Sequence, residues 1–441
     1  MIVNITSQHA TLTSGGSPTA WSRMGPLPAL LGIGLLARLC MLLWYLSTHG
    51  WTPETWEYEV LALNLLNKHE FSYYYLGNNY RSYVGPVFPF ICYVLHLVGG
   101  KSLFLYVVFH LSVALTTIWL TYRLASQWFS REAGVLAGLF AALEPGLLVY
   151  NSYKVDVITL ATCLLLVGLA VFERVAATGR YRWSALLGGL VGIAMMTRLD
   201  LLAILAPFAV WLALSETPRR KVLMHGLLAA GMTLLVLTPW LARNYAVHGR
   251  ILLTTTSGEQ LWIGNYEGST GTPDPSGRAA YLLMASPSLR DAMAHGTELE
   301  QYDAFHTEAV RVILADPVGF LRQAARKFVY FWWFTPTYGL NYKDFGILRG
   351  AYKILYVILL ALAVVGATTV WKCGDARRRL PVWSALAVIT YIVLIHSVYF
   401  LEGRHRVLVM PLFLMFSAHG VQTIAALASR WQQRRSLGDH S

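Results

Sequence analysis

The feature that most constrains this chain is a series of apolar runs, each about 18 residues or longer, that contain almost no charged side chain. A soluble domain has no need for such runs, whereas each has the length of a helix that crosses a bilayer. The composition agrees, because 56% of the residues are hydrophobic and only 13% are charged. The sequence therefore predicts an all-α, multi-pass membrane protein whose surroundings are the lipid bilayer.

We expect a bundle of about ten transmembrane helices. The first run, Pro26 to Leu46, is too long for a signal peptide and is followed by no cleavage site, which favours an uncleaved span. Further spans are predicted near 103–124, 133–150, 155–173, 183–197, 199–215, 222–242, 350–371, 382–401 and 405–428. Only Arg198 and its neighbours separate 183–197 from 199–215, so the count is least certain at this pair.

The basic residues predict the orientation. They cluster in the breaks that face the cytoplasm if the N-terminus is inside, as at Arg219-Arg220-Lys221 and Arg377-Arg378-Arg379. This bias follows the positive-inside rule and favours a cytoplasmic location for both termini. The formal charge of +12 is thereby explained by topology. Nucleic acid is not expected as a partner, because the chain has no basic face and no aromatic stacking platform.

This orientation divides the chain into five segments. They are a cytoplasmic tail (1–25), a transmembrane module (26–242) with an external loop at 48–102, an external segment (243–349), C-terminal transmembrane helices (350–428) and a cytoplasmic tail (429–441). In the first external loop, Thr52 or Thr55 is a candidate cap for an amphipathic helix along the membrane interface. Pro86 to Val98 is short for a span and is predicted to be interfacial or re-entrant. The aromatic cluster at 328–334 is typical of an interface anchor.

Three glutamates open the first external loop: Glu54, Glu57 and Glu59. In a helix Glu54 and Glu57 share a face, while Glu59 is turned away. Because this loop directly follows a span, a carboxylate here can reach the head group of a lipid-borne substrate. The alternative is that these carboxylates are solvated or stabilise a helix N-terminus.

Several charged residues lie at the predicted outer face, where the positive-inside rule does not expect cations. They are Lys154, Asp156, Arg198, Asp200, Arg243, Arg404 and Arg406. Cations gathered at one level bind an anionic head group such as phosphate, although any single one is also explained as a snorkelling anchor. Arg38 lies in the middle of the first span, where a charge costs ~2.5–3.5 kcal/mol. It is a functional candidate or the partner of Asp200 or Asp156 in an ion pair.

The chain contains a series of short motifs in a characteristic order. The first loop has an acidic residue, then Tyr, Ala, Asn-Leu, Phe-Ser and Pro-x-x-Pro, which are Glu54, Tyr58, Ala62, Asn64-Leu65, Phe71-Ser72 and Pro86-Val-Phe-Pro89. Later motifs are Met196-Thr-Arg198, Pro239 to Tyr245, Gly264-Asn265 and Arg404-His-Arg406 before Pro411. Over most of residues 30–425 this order resembles the GT-C superfamily of membrane glycosyltransferases. More narrowly, the chain resembles the bacterial branch that is similar to protein mannosyltransferases and lipid A aminoarabinose transferases. This branch is like glycosyltransferase family 39.

The resemblance implies a GT-C-like bundle and a reaction. A hexose or pentose would move from a polyprenyl phosphate to an envelope acceptor, with inversion, on the external face of a bacterial inner membrane. It implies Glu54 as general base, although relatives usually have Asp there and Glu57 is the alternative. The donor phosphate would be bound by cations among Arg81, Lys154, Arg198, Arg243, Arg404 and Arg406. Further candidate site residues are Arg38, Tyr58, Asp156 and Asn265.

Other classes of function are weighed against this one. The chain has no P-loop, GxSxG or HExxH motif, and its four cysteines lack metal-ligand spacing. The sequence therefore identifies no definite cofactor. A divalent metal is compatible with the expected chemistry. A transporter or flippase of a lipid-linked sugar explains the spans and the outer cations, but not the clustered acids beside a large external segment. A non-catalytic assembly subunit is the third alternative.

Overall fold

The fold is given by a computed structural model, which describes residues 25–50, 57–100, 104–152, 154, 156–272, 282–334, 346–373 and 376–438. In chain order the helices are α1 (Leu27–His49), α2 (Glu57–Lys68), α3 (Val87–Gly99), α4 (Phe104–Trp128), α5 (Arg131–Leu143), α6 (Pro145–Ser152), α7 (Ile158–Thr178), α8 (Tyr181–Thr197), α9 (Ala206–Leu214), α10 (Arg219–His248), α11 (Thr256–Ile263), α12 (Pro287–His295), α13 (Glu298–Ala315), α14 (Pro317–Trp332), α15 (Gly346–Cys373), α16 (Ala376–Val398) and α17 (Gly403–Gly438). Strands β1 (Tyr73–Tyr75) and β2 (Asn78–Tyr80) form an antiparallel hairpin in the first loop.

The described residues contain seven helices that are long and apolar enough to cross a membrane, namely α1, α4, α7, α10, α15, α16 and α17. An eighth is added if α5 and α6, which meet at a 55° bend, form one span. The prediction of a multi-pass, all-α membrane protein is therefore confirmed. Small residues let the helices approach closely, as such interfaces require: a Cβ on Gly420 in α17 would lie 2.0 Å from the Leu362 carbonyl oxygen of α15.

The predicted pair 183–197 and 199–215 proves to be two short helices. α8 has 17 residues and ends at Thr197, and a 3₁₀ helix, Leu199–Leu205, separates it from α9. Arg198 at the junction is extended, with φ −152° and ψ 130°. Two of the ten predicted spans are thus shorter than the standard length, and the irregular backbone between them carries Arg198 and Asp200.

The predicted span at 133–150 is broken at Glu144. This residue is extended because Pro145 follows it, and a residue before proline is disfavoured in the α conformation. Arg38 of α1 donates hydrogen bonds to the Ala141 and Ala142 carbonyl oxygens near this break, at 3.3 and 3.0 Å. The expectation that Arg38 pairs with Asp200 or Asp156 is therefore wrong, since its buried guanidinium satisfies the carbonyls of a neighbouring bent helix.

The first loop and the segment that follows α10 are joined through Glu298, the first residue of α13. Its carboxylate accepts hydrogen bonds from the backbone N–H groups of Arg81 and Ser82, at 2.6 and 2.9 Å, and from the Thr255 hydroxyl at 2.7 Å. Because these donors lie in the first loop and just before α11, one buried carboxylate fixes the position of both segments over the same end of the bundle.

Candidate active site

A cavity of about 520 Å³ lies where the first loop and the segment that follows α10 meet the bundle. Its walls come from five stretches of the chain that are distant in sequence. They are the start of α2, the turn at 83–85, the break at 197–200, the stretch 254–263 that includes α11, and the end of α16 with the start of α17. The cavity thus collects residues that the sequence assigned to the outer face.

Arg198 and Asp200 form one ion pair in this cavity. The guanidinium donates through Nε and Nη2 to the carboxylate, with the shortest distance 2.7 Å. His396 Nε2 lies 3.0 Å from Oδ2 of the same Asp200. An arginine has five N–H donors, so the carboxylate fixes the orientation of the guanidinium and leaves donors for a ligand.

Arg404 and Asp156 form a second ion pair. Arg404 Nη1 donates to Asp156 Oδ2 at 3.1 Å, and Nε of the same arginine pairs with Glu402. The other oxygen of Asp156 accepts from the backbone N–H of Ile158 at 2.7 Å, at the start of α7, where a helix dipole favours negative charge. The rings of His396 in α16 and His405 in α17 stack with centroids 3.8 Å apart.

Helix α2 presents Glu57 and Tyr58 to the cavity. Glu59 points the other way and lies 3.3 Å from His96 of α3, so the expectation that it is turned away is confirmed. Burial raises the pKa of the Tyr58 phenol, which therefore stays a neutral hydroxyl. Burial also raises the pKa of Glu59, against the opposing effect of His96. Glu54 lies outside the described residues.

The other predicted phosphate ligands do not line the cavity. Arg243 donates to the Arg81 carbonyl oxygen at 2.8 Å and stacks 4.8 Å from the Trp240 ring. The Arg81 side chain is exposed, and that of Lys154, two residues before Asp156, is half-buried. The sequence predicted that all these cations lie together at one level. In the structure only Arg198 and Arg404 line the cavity, and the other predicted phosphate ligands lie elsewhere.

Arg406 and Asn265 have structural contacts in place of cavity contacts. The Arg406 guanidinium lies 4.4 Å from the centre of the Tyr356 ring and is buried. Asn265 donates to the Leu261 and Val398 carbonyl oxygens at 2.8 and 2.9 Å. It thereby links the end of α11 to the end of α16, two elements of the cavity wall.

Lys327 is an important residue that sequence reasoning missed. Its ammonium, completely buried, donates to the carbonyl oxygens of Gly264, Val398 and Tyr399 at 2.7–3.1 Å and to the Asn265 side chain at 3.1 Å. Burial lowers its pKa to about 7. The only sequence signal for Lys327 is its position directly before the aromatic cluster at 328–334. That cluster is typical of an interface anchor and does not indicate a buried lysine.

Glu259 is the second residue that the sequence did not indicate, because α11 matches no acidic motif. It lines the cavity, and the residue is only 4% exposed. Within the described residues no three His, Cys, Asp or Glu side chains lie close enough to hold a metal ion. A divalent metal therefore stays a prediction.

Part of the chain is similar to a known protein family. The family model for dolichyl-phosphate-mannose-protein mannosyltransferase matches residues 83–242, just over a third of the chain. These residues include Arg198, Asp200 and Asp156. No curated protein matches the sequence.

Solved structures share the fold at low identity. The archaeal oligosaccharyltransferase AglB from Archaeoglobus fulgidus, in complex with an inhibitory peptide and a dolichol-phosphate, has TM-score 0.53 and 12% identity over 96% of this chain and 52% of its own. Its apo form has TM-score 0.56 at the same identity and coverage. ArnT from Cupriavidus metallidurans bound to undecaprenyl phosphate has TM-score 0.45, which carries no conclusion. This chain spans about half the length of the archaeal enzyme.

Proposed function

We propose that this chain is a membrane glycosyltransferase of the GT-C superfamily, which moves a sugar from a polyprenyl phosphate to an acceptor in the cell envelope. The reaction takes place on the external face of a bacterial inner membrane and inverts the anomeric centre. A carboxylate of the first loop, Glu54 or Glu57, is the general base.

The observation that carries this proposal is the meeting of Glu57 with Arg198 and Arg404 in one cavity. These three residues are far apart in the sequence. The cavity that brings them together forms at the end of the bundle where α2, α7 and α17 begin. A site at that level is within reach of a head group whose lipid tail stays in the bilayer. A carboxylate beside two oriented arginines is the combination that transfer from a phosphate requires.

The step is a displacement at the anomeric carbon of the donor. The acceptor hydroxyl attacks from the face opposite the phosphate, forming the new C–O bond as its proton passes to the carboxylate. The bond from the anomeric carbon to the phosphate oxygen breaks, and the lipid phosphate leaves with the electron pair. A positioned base is worth ~10²–10⁴-fold in such a step. Cations that stabilise the leaving phosphate contribute electrostatically.

A lipid-borne donor is favoured over a nucleotide sugar. The sequence has no nucleotide-binding motif, and the matching family is described by a dolichyl-phosphate sugar. The related archaeal enzyme was also solved with a dolichol-phosphate. Arg198 and Arg404 are the residues we assign to the phosphate, with Asp200 and Asp156 as the groups that orient them.

The test uses purified protein in detergent, where there is no membrane to cross. Polyprenyl phosphates carrying radiolabelled mannose, glucose or arabinose are offered with an envelope extract as acceptor. We expect transfer of label from one of these donors and none from the matching nucleotide sugars. Transfer from a nucleotide sugar alone overturns the proposal. So does an absence of transfer from every donor, together with movement of the lipid-linked sugar across reconstituted vesicles, which identifies a transporter.

A further inference from the structure

One wall of the cavity has a chemistry that the transfer step does not use. Thr254, Ser257, Glu259 and Gln260 line it, all from the stretch that contains α11. Their side chains offer hydroxyl, amide and carboxylate groups. The two cations of the cavity, Arg198 and Arg404, lie on other segments. The cavity therefore has a cationic part and a part rich in uncharged hydrogen-bonding groups and one carboxylate.

The Glu259 carboxylate is held in a fixed orientation. The Tyr75 hydroxyl donates to Oε1 at 2.6 Å and the Tyr83 hydroxyl donates to Oε2 at 3.3 Å. The two tyrosine rings are themselves in contact, with centroids 5.3 Å apart. The two hydroxyls therefore hold the carboxylate in one orientation at the cavity wall.

The helix that carries Glu259 is also fixed. A Cβ added at Gly258 would lie 2.6 Å from the Tyr302 carbonyl oxygen, so α11 packs against α13 without space for a side chain. Trp262, one turn later, is 1% exposed. Functional groups on such a rigid element are preorganised for a ligand.

A second observation at this wall points to a ligand. The Thr254 hydroxyl oxygen is buried and has no hydrogen-bond partner among the described residues, although it lines the cavity. A buried polar atom is normally satisfied, and a ligand hydroxyl is able to supply that partner. The rings of Tyr83, Tyr399 and Phe400 add apolar surface around it. Fixed polar groups within an apolar enclosure are typical of small-molecule sites.

We propose that Glu259 determines specificity by accepting hydrogen bonds from a pair of hydroxyls on the transferred sugar. This inference rests on the proposed function, because the sugar is joined to the phosphate that Arg198 and Arg404 receive. One cavity holds both groups, so a sugar attached to that phosphate lies within the same enclosure as the α11 wall. Tyr75 and Tyr83 are then positioning residues that act through Glu259.

The test measures binding separately from turnover. Purified protein in detergent is titrated with polyprenyl phosphate alone and with a phosphonate analogue of whichever sugar donor is used, and tryptophan fluorescence reports both. Glu259→Gln keeps the size of the side chain and removes its charge. We expect it to weaken binding of the sugar-bearing analogue by roughly 10- to 100-fold, as hydrogen bonds to a charged group do, and to leave binding of the bare lipid phosphate unchanged.

Two further variants complete the design. Tyr75→Phe removes one orienting hydroxyl and should weaken the sugar-bearing analogue by a smaller factor, again without affecting the bare lipid phosphate. Glu308→Gln, which removes a glutamate paired with Arg311 on the surface of α13, should change neither.

Each remaining outcome overturns a separate claim. If Glu259→Gln weakens binding of the bare lipid phosphate and of the sugar-bearing analogue equally, the proposed sugar contact is overturned. The same holds if it weakens binding of neither ligand. Unchanged donor binding with a raised KM for the acceptor shows that Glu259 reads acceptor hydroxyls instead, which also overturns it. If the wild-type protein fails to bind polyprenyl phosphate at all, the proposed function itself is refuted.

Discussion

Arg404 donates a hydrogen bond to Asp156 across 3.1 Å, between residues 248 positions apart in the chain. The pair joins the first turn of α17 to the start of α7, and its arginine lines the cavity. Asp156 is 7% exposed, so it depends on Arg404 and on the start of α7 for compensation. The interaction therefore couples the position of a cavity arginine to the packing of two transmembrane helices.

Arg404→Gln should lower kcat/KM for the donor by ~10²–10³-fold, because a donor directed at the leaving phosphate is lost. It should also lower the thermal midpoint, since Asp156 loses its cation. Initial rates and a melting curve on the same preparation measure both effects. The control is Arg250→Gln, which breaks an exposed ion pair with Asp303 and should change neither, because such surface pairs contribute ~0–1 kcal/mol. Full activity in Arg404→Gln would remove this arginine from the phosphate site.

Glu54→Gln and Glu57→Gln test the general base. The variant at the true base should lose ~10²-fold or more in turnover while donor binding survives, and the other should be milder. The resemblance favours Glu54, whereas Glu57 is the one whose place in the cavity is described. Glu70→Gln, at an exposed site in the same loop, is the matched control. Near-normal turnover in both variants would refute a carboxylate mechanism of this loop and make Asp156 the next candidate.

Glu59→Gln should separate folding from chemistry. Glu59 is buried against His96 and turned away from the cavity, so its replacement should reduce the yield or thermal stability and leave turnover per folded molecule nearly unchanged. Rates are normalised to the monodisperse fraction after size-exclusion chromatography. A large loss of normalised turnover would show that Glu59 takes part in the reaction.

Lys327→Met should destabilise the cavity wall by roughly 1–3 kcal/mol, the typical cost of leaving buried polar groups unsatisfied. Burial lowers the pKa of Lys327 to about 7, against ~10.4 in an unfolded chain. Between these values the unfolded chain binds more protons than the folded one, so stability should rise with pH from about 7 to 10. That rise should be reduced in Lys327→Met and retained in Lys68→Met, at an exposed position. Melting curves across this range measure it, and an unchanged rise in Lys327→Met would contradict the assignment.

Reporter fusions test the topology that places the site outside. Fusions at Pro275 and Ser436 should report opposite sides of the membrane, because the basic residues predict an external segment at 243–349 and a cytoplasmic C-terminus. Alkaline phosphatase and a fluorescent protein, each active on only one side, provide complementary readouts. The same side for both positions would refute this orientation.

The amino-acid sequence by itself determined that this is a multi-pass helical membrane protein. A bilayer imposes a fixed length and a uniform apolar environment, so a span can be recognised from a local run of residues without knowledge of its neighbours. The same locality allowed the sequence to place Arg198, Arg404, Asp156 and Glu57 at one end of the bundle. Pro145 is also a local signal for the break at Glu144, because a residue before proline is disfavoured in the α conformation.

Only the tertiary structure decided which of these residues meet. Asp200 contacts His396 across 196 positions, and Lys327 binds the carbonyl groups at the ends of α11 and α16. Arg243 and Arg406 share the predicted level with Arg404 but contact other groups. Hydropathy gives the depth of a residue in the membrane, whereas its partner depends on which helices pack together and on the direction in which each turns its side chain. For that reason Glu259 and Lys327, which have no sequence motif, were identified only once the helices were assembled.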